Sequence, residues 1–287
     1  MPSIQLAVSN IAWNKADDER IYTAMKNAGF TGLELAPTRI FPEQPYDNLS
    51  SAALFGGYLY NRWGFTVPSM QSIWYGQTGN IFDDAQAEEL LSYTEEAYNF
   101  AHVLNCPSLV FGCPKNRSLP EGADPAKADA FFDKAGRLAA RYGVRLAIEA
   151  NPTRYTNFLT RTADAFALVK RLDNPGLAVN LDLSTILENG ERLRDFIPDL
   201  NWVSHVHISE PGLEPIQPHP EHKELAMMLQ AVGYRGFVSI EMRNPGDTDT
   251  VLRTIDYIAE VFACIVSLLT LPIPSLNFLP AAVITAC

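Results

Sequence analysis

Four side chains that could bind a metal ion each end a short apolar run in the second half of this 287-residue chain. They are Glu149 in VRLAIEA, Asp182 in GLAVNLD, His207 in WVSHVHIS and Glu241 in GFVSIEM. Successive members are 33, 25 and 34 residues apart, about the length of one strand, one helix and two loops. Such residues at the ends of successive parallel strands predict a site where the strands converge, as in a (β/α)8 barrel.

The composition of this set favours a divalent cation. Three carboxylates and one imidazole form a hard, mostly oxygen ligand set with a formal charge near −3. It suits Mn²⁺ or Mg²⁺, with Co²⁺ or Zn²⁺ as alternatives. A single acidic residue at a strand end is usually a loop or cap residue, but four in matched positions predict one metal site. His205 shares a strand face with His207, and we interpret it as a supporting or core histidine rather than a fifth ligand.

Strand-like and helix-like segments alternate eight times along the chain. The predicted strands cover residues 4–9, 31–36, 66–72, 107–112, 144–149, 177–182, 202–208 and 236–241. Most are apolar runs, as expected for parallel strands covered on both faces. Helical patterns lie between them, and several end in glycine before a strand, at Gly29, Gly143 and Gly233. The pattern predicts an α/β protein with one (β/α)8 TIM barrel domain over residues 1–264.

The end of the chain does not fit this pattern. No charged residue follows Glu260 over the last 27 residues, which contain Pro272, Pro274 and Pro280. We treat residues 265–287 as an apolar, proline-containing tail. It could pack on the barrel or a partner, contact a membrane, or be an atypical end without a function. The three prolines disfavour a membrane, because they interrupt the helix that spanning requires.

Charge and cysteine content narrow the partners and the compartment. A net charge of −11 and a pI near 4.9 argue against nucleic acid, whose binding rests on clustered Lys and Arg. A small molecule is the expected partner, and the sequence is compatible with a homo-oligomer without indicating one. The four cysteines form no CxxC pair, and no basic stretch with an apolar run opens the chain. These features predict a reduced, cytoplasmic protein.

The chain resembles the xylose isomerase-like TIM barrel superfamily over about residues 4–264. Within it, the chain is most similar to the sugar phosphate isomerase and epimerase branch, which includes D-tagatose 3-epimerase and hydroxypyruvate isomerase. The resemblance rests on IEAN at 148–151, NLD at 180–182, HVHISEP at 205–211 and GYRGFVSIEM at 233–242. It implies that Glu149, Asp182, His207 and Glu241 bind one divalent metal, and that the two glutamates also move protons.

Six further residues are predicted to bind the substrate. They are Lys115, Arg117, Glu210, His222, Asn10 and Gln71. Lys115 and Arg117 follow the fourth strand, where a basic pair could clamp a phosphate or carboxylate. His222 is selected by the resemblance. The competing interpretations are a solvated loop for the basic pair, helix capping for His222 and an exposed loop for Glu210.

The substrate-binding positions differ from those of the ketose epimerases. Where that group has a histidine, this chain has Thr185. Where that group has an arginine and a second glutamate, this chain has Leu213 and Tyr155, respectively. A tagatose-type substrate therefore does not follow from the resemblance.

The function that we predict is a metal-dependent isomerase or epimerase of a small sugar or hydroxy-carbonyl compound, acting through an enediolate. Glu149 and Glu241 would serve as acid and base. Two alternatives stay open: a metal-dependent dehydratase of a keto-polyol, of the inosose or dehydroshikimate type, and a non-catalytic metal- or sugar-binding barrel. The endonuclease branch of the superfamily is disfavoured, because it needs additional histidine ligands and a basic surface.

Overall fold

Seven parallel strands form one curled sheet in the computed structural model, which describes residues 4–270. The strands are β1 Gln5–Ser9, β2 Gly32–Glu34, β3 Ser108–Phe111, β4 Arg145–Ile148, β5 Leu177–Asp182, β6 Val203–Ile208 and β7 Phe237–Ile240. Their order is β2-β1-β7-β6-β5-β4-β3, with every neighbouring pair parallel. Seven of the predicted strands are thereby confirmed, and their carboxyl ends lie at one end of the sheet.

The segment predicted as the third strand, 66–72, forms isolated bridges rather than a regular strand. Met70 bridges Leu35 of the chain after β2 and Leu109 of β3. The backbone N–H of Gln71 donates to the Leu35 carbonyl at 2.8 Å, and that of Met70 donates to the Ser108 carbonyl at 2.9 Å. Pro68 lies within the segment and has no N–H, which prevents a regular ladder. The segment nevertheless fills the eighth position and closes the ring between β2 and β3.

Helices follow the strands around the outside of the sheet. They are α1 Asp18–Asn27, α2 Pro37–Ile40, α3 Leu49–Tyr58, α4 Asp84–Val103, α5 Ala126–Arg141, α6 Thr162–Leu172, α7 Leu183–Asn189, α8 Pro220–Ala231 and α9 Thr248–Thr270. Gly29, Gly143 and Gly233, which follow α1, α5 and α8, have φ angles of +81°, +70° and +69°. This left-handed conformation favours glycine and confirms the predicted helix ends.

The last helix extends into the segment that we predicted as a tail. Helix α9 ends at Thr270, and residues 271–287 of the predicted tail lie outside the described residues. In the part of the chain that the structure describes, no helix is long and apolar enough to cross a membrane.

Candidate metal centre and active site

The fold brings the four predicted ligands together at the carboxyl ends of β4, β5, β6 and β7. The strand register pairs Asp182 on β5 directly with His207 on β6. Glu149 and Glu241 each follow the last residue of their strands, β4 and β7. One ligand atom from each of the four residues lies within 4.8 Å of those of the other three. The spacing in the sequence therefore corresponds to one buried cluster that could hold a metal ion.

His207 lies at the centre of the cluster. Its Nδ1 atom is 3.1 Å from Glu149 Oε1 and 3.1 Å from Glu241 Oε2, and its side chain is fully buried. Burial would lower the pKa of His207, but the charges of Glu241 and Glu34 outweigh burial and raise it well above its ordinary value. Without a cation, the ring therefore holds a proton among the carboxylates, and a divalent ion at Nδ1 would replace that proton.

Asp182 is held by the helix that follows it. Its side chain caps the amino end of α7, where Oδ2 accepts from the Thr185 N–H at 2.9 Å and from the Thr185 hydroxyl at 2.8 Å. The Ser184 hydroxyl also donates to Oδ2 at 2.7 Å, and the Ser209 hydroxyl donates to Oδ1. The carboxylate thus keeps one orientation, which suits a metal ligand.

Two asparagines and a glycine position Glu149. Asn180 Nδ2 donates to Oε1 at 2.6 Å, and Asn151 Nδ2 donates to Oε2 at 3.2 Å. A methyl group added at Gly112 would lie 2.5 Å from Oε2, so only glycine leaves room for the carboxylate there. Sequence reasoning did not select Asn180, although its position on the inward face of β5, two residues before Asp182, was a usable signal.

The donor set fits a divalent cation. Glu149, Asp182 and Glu241 are each at most 9% exposed, and together they place three carboxylates in a small volume. His207 is the ion-pair partner of two of them, and it supplies at most one positive charge. Burying several like charges without compensation is costly. Oxygen ligands with one imidazole are suited to a hard or borderline divalent ion.

Sequence reasoning missed Glu34, the last residue of β2. Its side chain is completely buried, and Oε2 lies 2.9 Å from His207 Nε2 and 2.8 Å from His205 Nε2. Burial alone would raise the pKa of the Glu34 carboxyl, but the charge of His207 and hydrogen bonds from both histidines hold it well below its usual range. A charged residue inside the apolar run TGLELA was the available signal, since a buried carboxylate requires partners.

Arg117 has partners other than the anion that we predicted. The side chain is fully buried, and its guanidinium donates to the carbonyls of Phe111, Phe158 and Leu159 and, at 2.9 Å, to Asn151 Oδ1. Burial lowers the pKa of Arg117 to about 10, which still leaves it charged at neutral pH. These contacts tie the loop after β3 to the loop after β4. Lys115, by contrast, is exposed.

We expect Arg117→Met to lower the free energy of unfolding by about 2–4 kcal/mol, because it leaves buried carbonyls without donors. Urea unfolding measures the change. Lys115→Met removes the neighbouring exposed charge and should stay within about 0.5 kcal/mol of the wild type. Unchanged stability of Arg117→Met, with a weaker affinity for anionic substrates alone, would support the anion clamp instead.

Glu210 and His222 lie in a second polar cluster. Glu210 Oε1 accepts from the Gln217 N–H at 2.9 Å and lies 3.1 Å from His219 Nε2. His222 is buried on α8, where its Nδ1 lies 3.0 Å from the Tyr257 hydroxyl. Among the described residues, His222 Nε2 has no hydrogen-bond partner. The role of both residues in substrate binding stays a prediction.

The stability of the protein should depend on pH through His222. Burial, with a smaller effect of His219, lowers the pKa of His222 to about 4, whereas an unfolded histidine titrates near 6.5. Between these values only the unfolded chain binds the proton, so stability is fully present above about pH 6.5 and falls as the pH decreases towards 4.

We therefore expect His222→Gln to flatten this decline by up to about 1.4 kcal/mol per pH unit. Urea unfolding of the wild type and of His222→Gln from pH 7 to 4.5 measures how the free energy of unfolding of each changes with pH. His102→Gln, at an exposed helical position, serves as the control and should keep the wild-type slope. Equal slopes for the wild type and His222→Gln would contradict this assignment.

Asn10 follows β1, and Gln71 lies near the carboxyl end of the bridging segment 66–72, at the same end of the barrel as the metal cluster. Asn10 Oδ1 accepts from the Ala36 N–H at 2.8 Å. Its Nδ2 is buried and has no hydrogen-bond partner among the described residues. Gln71 Nε2 donates to the Ser9 hydroxyl at 3.1 Å, and the Ser72 hydroxyl donates to Gln71 Oε1. Asn10 therefore retains a donor that a ligand could use.

A comparison with protein families finds a match to the family described as xylose isomerase-like TIM barrel, over residues 22–261. A relative from Homo sapiens, named "Putative hydroxypyruvate isomerase", is 31% identical over 173 residues. That alignment covers 54% of this chain and 60% of the human protein. The chain thus matches less than two thirds of the length of this relative.

Solved structures show the same fold over nearly the whole chain. The apo form of 3-keto-D-glucoside 4-epimerase from E. coli has a TM-score of 0.71 and 18% identity, covering 91% of this chain and 100% of that one. D-psicose 3-epimerase from Clostridium cellulolyticum H10, crystallised with D-tagatose, has a TM-score of 0.70 and 14% identity. It covers 91% of this chain and 97% of that one. At these identities the likeness concerns the fold alone.

Proposed function

The chain belongs to the xylose isomerase-like TIM barrel family, and from that premise we propose that it is a divalent-metal-dependent isomerase or epimerase of a small sugar or related hydroxy-carbonyl compound. The observation that carries the proposal is the buried convergence of Glu149, Asp182, His207 and Glu241. The human relative described above is named as a putative hydroxypyruvate isomerase, which supports the same reaction class.

The four ligands would hold one divalent ion, with Mn²⁺ or Mg²⁺ favoured by the excess of carboxylate oxygens. When bound, such an ion acts as a Lewis acid that polarises a carbonyl and the neighbouring hydroxyl. This polarisation makes the C–H of the hydroxyl-bearing carbon more acidic. In the reaction, Asp182 and His207 would act only as ligands of the ion. Glu149 and Glu241 would have two roles, because a carboxylate that binds the ion can also accept a proton from the substrate.

The two glutamates differ in their surroundings, which suits opposite tasks in proton transfer. Both side chains lie 3.1 Å from His207 Nδ1, and Glu149 also accepts hydrogen bonds from Asn180 and Asn151. Burial raises the pKa of Glu241 to about 7, although the charge of His207 opposes that effect. A carboxyl group with a pKa near neutrality can both accept and return a proton. In our proposal, one glutamate removes the proton and keeps it, and the other, protonated at the start, delivers its own proton to the opposite face or to the adjacent carbon.

The proposal is tested by solvent exchange. The protein, loaded with Mn²⁺ or Mg²⁺, is incubated in D₂O with ketoses, aldoses and keto acids, hydroxypyruvate included. We expect one substrate to take up deuterium at the carbon next to its carbonyl, and a chelator to abolish the uptake. Uptake that persists after complete removal of metal would contradict the proposed metal dependence.

The same assay separates the alternatives. Loss of water to give an unsaturated or deoxy product would assign a dehydratase. Retention of metal without exchange on any compound of the panel would support a non-catalytic binding barrel. A product with a moved carbonyl identifies an isomerase, and one with an inverted centre identifies an epimerase.

A further inference from the structure

One oxygen atom of a buried carboxylate lies below the proposed metal centre and contacts three donors. Glu34 Oε2 accepts from the Ser69 hydroxyl at 2.5 Å, and it lies 2.8 Å from His205 Nε2 and 2.9 Å from His207 Nε2. Glu34 is completely buried, and its Oε1 has no hydrogen-bond partner among the described residues. The carboxylate therefore depends for its stabilisation on these three contacts.

The contact with His207 determines which ring nitrogen carries a proton when the imidazole is neutral. An ionised carboxylate oxygen only accepts hydrogen bonds, so the nitrogen facing Glu34 must be the donor. The Nε2 atom of His207 then carries the proton, and Nδ1 presents a lone pair. That lone pair faces the cluster, because Nδ1 lies 3.1 Å from both Glu149 and Glu241.

His205 supports the same arrangement. Its Nε2 lies 2.9 Å from the hydroxyls of both Ser69 and Ser239, as well as near Glu34, whereas its buried Nδ1 has no partner in the described part of the chain. Burying an N–H group without an acceptor costs more free energy than burying a nitrogen lone pair without a donor. The proton of neutral His205 therefore belongs on Nε2. The His205 and His207 rings stand at 88° to each other, 5.3 Å apart. Two imidazole donors thus converge on one carboxylate oxygen.

We propose that Glu34 is a positioning residue for the metal centre, holding His207 with Nε2 protonated and Nδ1 directed at the cation. This inference rests on the proposed metal site. It adds that Glu34 is the group that makes His207 bind the ion through Nδ1. A carboxylate behind a metal-binding imidazole fixes its tautomer and orientation and increases its basicity.

The test compares Mn²⁺ affinity, measured by calorimetry and by the electron paramagnetic resonance signal of free Mn²⁺, in the wild type and in Glu34→Gln. The amide is nearly isosteric but uncharged, and we expect it to weaken Mn²⁺ binding by about 10- to 100-fold. Ser69→Ala is the matched control. It removes a hydrogen bond to the same oxygen but leaves the carboxylate beside His207, and we expect a change below about threefold.

The outcomes separate this inference from the proposed function. Tight Mn²⁺ binding by the wild type and Glu34→Gln alike would overturn the role of Glu34 and leave the metal centre intact. An equal loss in Glu34→Gln and Ser69→Ala would assign Glu34 to the general stability of the core and overturn its positioning role. A wild type that binds no divalent ion would overturn both the metal centre and this inference.

A measurement on the wild type keeps the inference testable if Glu34→Gln does not fold. With ¹⁵N-labelled histidine and diamagnetic Mg²⁺ or Zn²⁺, nitrogen NMR reports which atom of His207 is protonated. We expect a proton on Nε2, shifted downfield by its hydrogen bond to the carboxylate, and none on Nδ1. His102→Gln and His205→Asn would help to assign the five histidines. A proton on Nδ1 of metal-loaded His207 would overturn the proposal.

Discussion

Replacing Glu149 or Glu241 by glutamine is expected to lower turnover by about 10²- to 10⁴-fold, the usual contribution of a positioned acid or base. An amide cannot accept the proton, but its oxygen can still face a metal ion, so part of the metal affinity should survive. Steady-state kinetics on the substrate found by the exchange assay, together with metal analysis of each variant, measures the two effects separately.

The two variants should differ in the partial reaction that each retains. If the glutamates act on opposite faces, the variant that keeps the base for a given proton should still exchange that proton with D₂O, although it cannot complete the reaction. The partner variant should show no exchange of the same proton. Proton NMR of the substrate carbon next to the carbonyl follows the label over time.

Glu191→Gln is the matched control for these substitutions. The Glu191 side chain is only 4% exposed and accepts from the Thr162 N–H at the start of α6, outside the metal cluster. Glu191→Gln makes the same chemical change at a buried side chain away from the cluster, so this variant should keep wild-type turnover. Full activity in Glu149→Gln or Glu241→Gln would remove that residue from the proposed acid–base pair.

Loss of one metal ligand is the second large effect that we expect. The wild type should hold about one divalent ion per chain, and Asp182→Asn or His207→Ala should lower the affinity at least about tenfold. Asparagine caps helices about as well as aspartate, so Asp182→Asn should retain the cap of α7 while removing the ligand charge. Metal analysis after mild chelation, followed by calorimetric titration, measures the change.

Asp83→Asn controls for the helix cap. Asp83 caps α4 by accepting from the Gln86 N–H at 3.0 Å, and the same substitution there should leave the metal content unchanged. Equal metal content in the wild type, Asp182→Asn and His207→Ala would show that the metal site is not formed by these residues.

Much of the fold and the four-residue cluster could be predicted from sequence because their signals are local. Apolar runs mark covered parallel strands, and Gly29, Gly143 and Gly233 mark helix ends through their left-handed backbone. A candidate ligand at the end of each apolar run can be identified without knowing any distant contact, because a barrel brings the ends of successive strands together. The irregular third strand also had a local signal, because Pro68 cannot donate to a ladder.

Residues whose environment depends on distant parts of the chain could not be assigned in the same way. Arg117 reads as an exposed basic residue after a strand, but its guanidinium lies inside and bonds carbonyls as far as 42 residues away. Nothing in the sequence near KNR distinguishes a buried arginine from a solvated one. Its burial is decided by how the loops after β3 and β4 pack.

Glu34 shows the same limit most clearly. Its contact with His207 joins residues 173 positions apart, on two strands that are separated by β1 and β7 in the sheet. The sequence by itself determined which residues end the strands, and hence which four residues form the candidate metal site. Only the tertiary structure decided which buried group faces the other side of His207, because the curled sheet brings inward side chains of β2 and β6 together and no neighbour in the chain does so.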